Sequence, residues 1–273
     1  MLITIAVFFT FSCSKSNPSS TTTQDPVENT VTETGTITDT PTITDTPTIT
    51  DTPTITATPT KTNTATVTPT PTDIIYTTVF QNLQLPSFTY ECQDTFIGNG
   101  LGSDSNYYLD TDLQLCFFAT SSINYRILMK FDISSLPAGA VVTSATLSLY
   151  LFGYTTASPV PVAKVYNCGE AWIEEQVTWN SKSTGVPWSI SAGGSPGSAM
   201  TGDVSLSKAA GWKNFSLDTV TVQGWLDSPS SNYGMVIMES PEQTATGTVV
   251  HFYSAQGSSV TLRPKLTINY TTP

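Results

Sequence analysis

The stretch Tyr125-Arg-Ile-Leu-Met-Lys-Phe-Asp-Ile133 decides the fold class, because its apolar and polar residues alternate. Ile127 and Met129 fall on one face of the stretch, and Arg126 and Lys130 fall on the other. A period of two is typical of a β-strand that buries one face and exposes the other. The stretch therefore predicts a strand at the surface of a hydrophobic core.

The residues on either side repeat this pattern. Ser135-Leu-Pro-Ala-Gly139 predicts a turn, and a second strand follows with Ala145, Leu147, Leu149 and Leu151 on one face and Ser144, Thr146, Ser148 and Tyr150 on the other. Further strands are predicted at 160–167, 213–217, 234–239, 246–254 and 265–270, and one short helix at about 220–226. Short strands separated by turns predict an all-β sandwich or barrel.

The beginning of the chain resembles a bacterial lipoprotein signal. An apolar run from Leu2 to Phe11 is too short to cross a bilayer, and it is followed by Cys13 and then by polar residues. We expect residues 1–13 to be a signal peptide with a lipobox-like Cys13 as the site of lipidation. An ordinary signal peptidase that cuts nearby is the alternative. The protein would then be exported and held at the cell surface or outer membrane through the lipid alone.

Residues 14–73 form a low-complexity segment that is rich in Thr and Pro. The hexad Thr36-Ile-Thr-Asp-Thr-Pro41 recurs at 42–47 and 48–53, and one isoleucine per repeat cannot build a core. Regular prolines and β-branched threonines favour extended backbone. We therefore expect a disordered, semi-rigid stalk that precedes a single globular domain at 74–273.

The charge of the chain excludes one class of partner. The formal net charge is −11, and the domain at 74–273 has fourteen acidic and eight basic residues. A negative domain without basic clusters would repel phosphates, so we expect no nucleic acid as a partner. The sequence does not indicate an oligomeric state.

Several motifs then resemble one family of surface proteins, the DNRLRE-domain family of bacteria and archaea. The motifs are 126–140, 142–150, Trp172-Ile-Glu-Glu-Gln-Val-Thr-Trp-Asn180, Val222-Gln-Gly-Trp225, Asn232-Tyr-Gly234, Arg263-Pro-Lys-Leu-Thr-Ile-Asn-Tyr270 and the opening Asp94-Thr-Phe-Ile97. The sequence departs from the family where Ala255-Gln256 replaces an arginine-glutamate pair and where Tyr108 replaces a glycine.

The resemblance implies a jelly-roll-like antiparallel β-sandwich. Some members of the family are carbohydrate-binding modules, of a type similar to family 96, so it also implies a non-catalytic protein that binds extracellular polysaccharide. The first alternative is a structural or adhesive surface protein that contacts another protein or a matrix. The second is a polysaccharide hydrolase or lyase, but adjacent Glu174 and Glu175 would point to opposite faces of a strand, and His251 lacks a nucleophile motif.

Carbohydrate binding requires exposed aromatic rings. Trp172, Trp179 and Trp225 lie in the motifs that resemble the family, so we expect them in the core. Trp188 and Trp212 lie on either side of a loop rich in Gly and Ser and are the better candidates for ligand binding. Tyr107 and Tyr108 are the next candidates.

The segment 99–112 is rich in oxygen ligands. Asp104, Asn106, Asp110 and Asp112 are the side chains that calcium prefers, although their spacing is not that of an EF-hand. We expect either a structural calcium ion or a solvated turn here, and no other cofactor. A zinc site is not supported, because the chain has one histidine.

Three cysteines remain if Cys13 is lipidated. An exported protein would be expected to pair two of them, and Cys92 with Cys116 would close the shortest loop. Three buried free thiols are the alternative.

Overall fold

The computed structural model describes residues 73–83, 91–100, 102–118, 121–155, 160–207, 209–242 and 247–273. The predicted signal peptide, Cys13 and the hexads of the stalk lie outside the described residues. No helix among the described residues is long and apolar enough to cross a membrane.

The described residues form antiparallel strands and one α-helix, as the alternation predicts. The strands are β1 Tyr76–Phe80, β2 Cys92–Gly98, β3 Asp112–Phe118, β4 Ile123–Phe131, β5 Val141–Tyr154, β6 Val162–Cys168, β7 Ser181–Ser183, β8 Val186–Pro187, β9 Pro196–Ala199, β10 Val204–Ser205, β11 Gly211–Leu217, β12 Met235–Glu239, β13 Val250–Tyr253 and β14 Lys265–Thr271. The helix α1 is Thr219–Asp227, and its first turn is capped by Asp218, whose Oδ2 accepts a hydrogen bond from the backbone N–H of Thr221 at 2.9 Å.

Two sheets form the β-sandwich. In the first sheet β5 pairs with β14, β11 and β13, and β14 also pairs with β1. In the second sheet β4 pairs with β2 and β12, and β12 pairs with β6. Strand β3 belongs to both sheets, because its first half pairs with β13 and its second half with β4.

The main hydrophobic core confirms the predicted facing of β4 and β5. Ile127 and Met129 of β4 and Leu147 and Leu149 of β5 are fully buried in one cluster. The helix contributes Val222 and Trp225 to the same cluster, as its predicted apolar face requires. The alternation in the sequence therefore gives the correct inner face for both strands.

A second hydrophobic cluster lies on the other face of β4. Leu128, Val236 of β12 and Trp188 belong to it, and the connection 169–195 between β6 and β9 covers it. Arg126 of the same face makes two hydrogen bonds to the carboxylate of Glu242, at 2.6 and 2.7 Å, and its guanidinium lies 4.7 Å from the ring centroid of Trp179. The second sheet is thus covered on both faces.

Glu170 holds this connection against the sheet. Its carboxylate accepts hydrogen bonds from Lys182 Nζ at 2.5 Å, from the backbone N–H of Ser189 and Ile190 at 2.9 and 3.0 Å, and from Ser195 Oγ. Burial alone would raise the pKa of Glu170, but these four donors lower it below its usual range. Glu170 is therefore a buried, hydrogen-bonded residue and not an exposed one.

The predicted disulfide between Cys92 and Cys116 is also wrong. Cys92 is opposite Phe131 on β4, and Cys116 is opposite Tyr125, six residues away on the same strand. Six residues of strand separate the two by about 20 Å, well beyond the reach of a disulfide. Both are free and buried, as is Cys168. Burial raises the pKa of the Cys116 thiol to about 12 and that of Cys168 to about 11.

We predict that Leu147→Ala lowers the free energy of unfolding by about 2–5 kcal/mol, because it leaves a cavity in the main core. Thr146→Ala, one residue away on the opposite face, should change it by less than about 0.5 kcal/mol. Urea unfolding of both variants tests this difference. Equal effects would mean that the register of β5 is wrong.

Candidate functional site

The outer face of the first sheet has a cluster of aromatic side chains, which we name the aromatic face. Its members are Tyr150 and Phe152 of β5, Trp212 of β11, and His251 and Tyr253 of β13. Tyr150 and Phe152 alternate with Leu149 and Leu151, which are buried, so they project away from the core. Phe152 is 41% exposed and the other four are half-buried.

The rings follow one another across three neighbouring strands. Trp212 is opposite Tyr150 in the sheet, and their ring centroids are 5.4 Å apart at an interplanar angle of 89°. Tyr253 lies 6.0 Å from Tyr150 and 4.6 Å from Phe152. His251 is 6.0 Å from Phe152. The result is a continuous aromatic surface on a rigid sheet.

Charged and polar groups border this surface. Lys265 of β14 places its Nζ 4.1 Å from the ring centroid of Trp212. At the other end, His251 Nδ1 is 2.7 Å from Asp112 Oδ2, which also accepts a hydrogen bond of 3.4 Å from Gln114 Nε2. Asn214, two residues after Trp212 on the same face of β11, is exposed. The aromatic face therefore offers apolar ring surface beside hydrogen-bonding groups.

The structure separates the four predicted ligand-binding residues. Trp212 is on the aromatic face, but Trp188 is 7% exposed in the second cluster, where its Nε1 donates a hydrogen bond to the Thr178 carbonyl at 3.1 Å. The prediction that Trp188 is exposed is wrong. Tyr107 stacks on Phe96, with ring centroids 4.2 Å apart, and packs against the main core. Tyr108 is half-buried in the loop between β2 and β3.

The four predicted calcium ligands do not form a common site either. Asp104 accepts a hydrogen bond from Asn180, and Asp112 faces His251. Asn106 donates to the carbonyls of Glu174 and Val177, at 2.8 and 2.7 Å. Burial raises the pKa of Asp110, and the charge of Asp112 adds to this. Among the described residues, no group of three or more His, Cys, Asp or Glu side chains could hold a metal ion.

Sequence reasoning missed Tyr150, Phe152 and Tyr253 as members of the site. The sequence contained one signal: Tyr150 falls on the polar face of a predicted strand, opposite the leucines. An aromatic ring on a face that otherwise holds serine and threonine is a candidate for recognition, because burial does not explain it. Strand β13, about one hundred residues later in the chain, pairs with β5 and places His251 and Tyr253 beside Phe152.

A family profile matches most of the described domain. The sequence profile of carbohydrate-binding module family 96 matches residues 87–270, which include almost every strand described above. No curated protein matches the chain.

We predict that Trp188→Ala lowers the free energy of unfolding by about 3–5 kcal/mol, because the indole fills the second cluster. Ile190→Ala is the matched control, since Ile190 lies on the same connection and is 67% exposed; it should cost less than about 0.5 kcal/mol. Chemical denaturation measures both. A Trp188→Ala variant as stable as the control would show that the second cluster is not packed around this ring.

Proposed function

The chain belongs to carbohydrate-binding module family 96, and we propose that its β-sandwich binds extracellular polysaccharide on the aromatic face. The observation that supports this proposal is the continuous row of rings from Trp212 through Tyr150 to Tyr253 and Phe152. Carbohydrate-binding modules are generally non-catalytic, and the proposed activity is binding alone.

The chemistry of a sugar ring fits this surface. A pyranose has apolar C–H faces and a rim of hydroxyl groups, so it needs an aromatic surface with polar groups at its edge. Aromatic side chains supply a large contact area and lose little conformational entropy on binding. Lys265 and Asn214 border one end of the row, and the pair of His251 and Asp112 borders the other.

The position of the rings also favours this face over the other tryptophans. Trp188 and Trp225 are buried, while Trp172 and Trp179 pack against the second cluster. The Nε1 of Trp172 donates a hydrogen bond to the Tyr233 carbonyl at 2.8 Å, which is a structural role. Trp188 is 7% exposed and Trp225 3%, so neither offers a free ring face to a ligand.

The proposal extends to the location of the protein. The apolar run before Cys13 and the hexads of the stalk support an exported lipoprotein whose domain is held away from the cell surface. A spacer between a lipid anchor and the sandwich would let the aromatic face reach polysaccharide outside the cell. The same arrangement would serve an adhesive protein, and the binding experiment distinguishes the two.

We predict that Phe152→Ala and Trp212→Ala each weaken carbohydrate binding at least tenfold, or about 1.4 kcal/mol, because each removes contact area from the aromatic face. A glycan array identifies the ligand, and isothermal titration then measures Kd for each variant. Tyr76→Ala is the control, since Tyr76 is 43% exposed on the distant edge strand β1. Unchanged Kd values in both variants would exclude the aromatic face, and a folded protein that bound no glycan would contradict the function.

We also predict that Cys13→Ala releases the protein from the membrane fraction and abolishes its labelling by a fatty-acid probe. The nearby Ser16→Ala variant should remain membrane-bound and labelled. Fractionation of cells that express each variant tests this. If Cys13→Ala stays in the membrane fraction, the lipid anchor is wrong.

A further inference from the structure

Asp94 carries an oxygen atom that has no hydrogen-bond partner in the interior of the protein. The residue lies on β2 between Cys92 and Phe96, on the face that points into the main core, and it is 0% exposed. Its Oδ2 accepts a hydrogen bond from the backbone N–H of Ala255 at 2.8 Å, while its Oδ1 is buried without a partner. A buried, unpaired carboxylate oxygen is costly, so its presence needs an explanation.

Two more oxygen-bearing side chains meet at this point. The Oε1 atom of Glu174 accepts hydrogen bonds from the backbone N–H of Asp94 at 2.9 Å and from Gln256 Nε2 at 3.2 Å. The other end of that same amide, Gln256 Oε1, is also buried without a partner. We name Asp94, Glu174 and Gln256 the oxygen cluster.

One cationic side chain lies near the oxygen cluster. Arg263 is buried, its positive charge lowers the pKa of Asp94, and its guanidinium donates to the carbonyls of Gly257 and Asn82, at 2.7 and 2.8 Å. Glu174 accepts from the Asp94 backbone and from Gln256, and the preceding residue, Ala255, donates to Asp94 Oδ2. Two carboxyl groups therefore lie close together with one arginine nearby.

We propose that the oxygen cluster binds a calcium ion. A cation would satisfy the two unpaired acceptors, Asp94 Oδ1 and Gln256 Oε1, and would compensate the charge of the two carboxylates at once. A single proton could serve only one pair of these oxygens. The ligands are two carboxylates and an amide carbonyl, which suit a hard cation with flexible coordination.

The ion would be structural and would strengthen the outer edge of β2. Among the described strands β2 pairs with β4, and side chains bond its other edge: Asn82 bonds the N–H and carbonyl of Cys92, and Glu174 accepts from the N–H of Asp94. Glu174 reaches this edge from the connection 169–195, and Gln256 reaches it from the segment after β13. Asn106 fixes the carbonyl of Glu174 from a third segment. A calcium ion would therefore tie these segments to β2, independently of carbohydrate binding.

The test is thermal melting of the protein in excess CaCl₂ and in EGTA, with calcium affinity measured by titration calorimetry. A calcium concentration about one hundred times Kd should raise the Tm of the wild-type protein by about 5–10 °C. Asp94→Asn removes a charged ligand and should abolish most of this rise. The matched control Asp104→Asn should keep it, because Asp104 lies on the loop after β2 and bonds Asn180 instead.

A gain of affinity gives the sharper result. Gln256→Glu adds a third carboxylate to the oxygen cluster, so it should tighten calcium binding about tenfold or more and enlarge the rise in Tm. If the cluster holds only a proton, Gln256→Glu would lower the Tm near neutral pH and calcium would not restore it. That result overturns the proposal, as does a calcium response that is absent in the wild-type protein or equal in all variants. Loss of glycan binding plays no part in this test, so the two proposals fail separately.

Discussion

The register of β5 is the constraint on which the rest of the structure depends. Its inner residues Leu147 and Leu149 are fully buried, and its outer residues Tyr150 and Phe152 form the middle of the aromatic face. A shift of one residue would exchange the two faces of the strand. Because β5 also pairs with β14, β11 and β13, such a shift would disturb every strand that contributes to the candidate site.

The sequence predicts local structure better than it predicts what covers each face. Alternation correctly places Met129 in the core and Arg126 on the other side of β4. It does not show that the connection 169–195 covers that other side, where Leu128 and Trp188 form the second cluster. Periodicity indicates which residues share a face, whereas coverage depends on contacts between distant segments. The crossing of β3 between the sheets is unpredictable for the same reason.

The error at Trp188 has an instructive physical cause. The glycines near it suggest an open loop, yet they allow the loop to approach the sheet closely. Gly194 has a φ of +95°, and a Cβ atom there would lie 2.9 Å from Leu128 Cδ2. Gly193 is similarly close to the Trp179 ring. Small residues therefore indicate either exposure or tight packing, and only the tertiary contacts distinguish the two.

Two glutamates on the connection 169–195 show how environment decides the role of a carboxylate. Glu170 accepts hydrogen bonds from four donors, including the Lys182 ammonium, and its pKa is lowered. Its negative charge is therefore compensated within the fold. Glu174, one short turn later, is 4% exposed and accepts two neutral hydrogen bonds beside the unpaired oxygen of Asp94. A carboxylate whose charge is already compensated has no need of a cation. Glu170 therefore needs no further partner, whereas the proposed calcium ion would compensate the charge of Glu174.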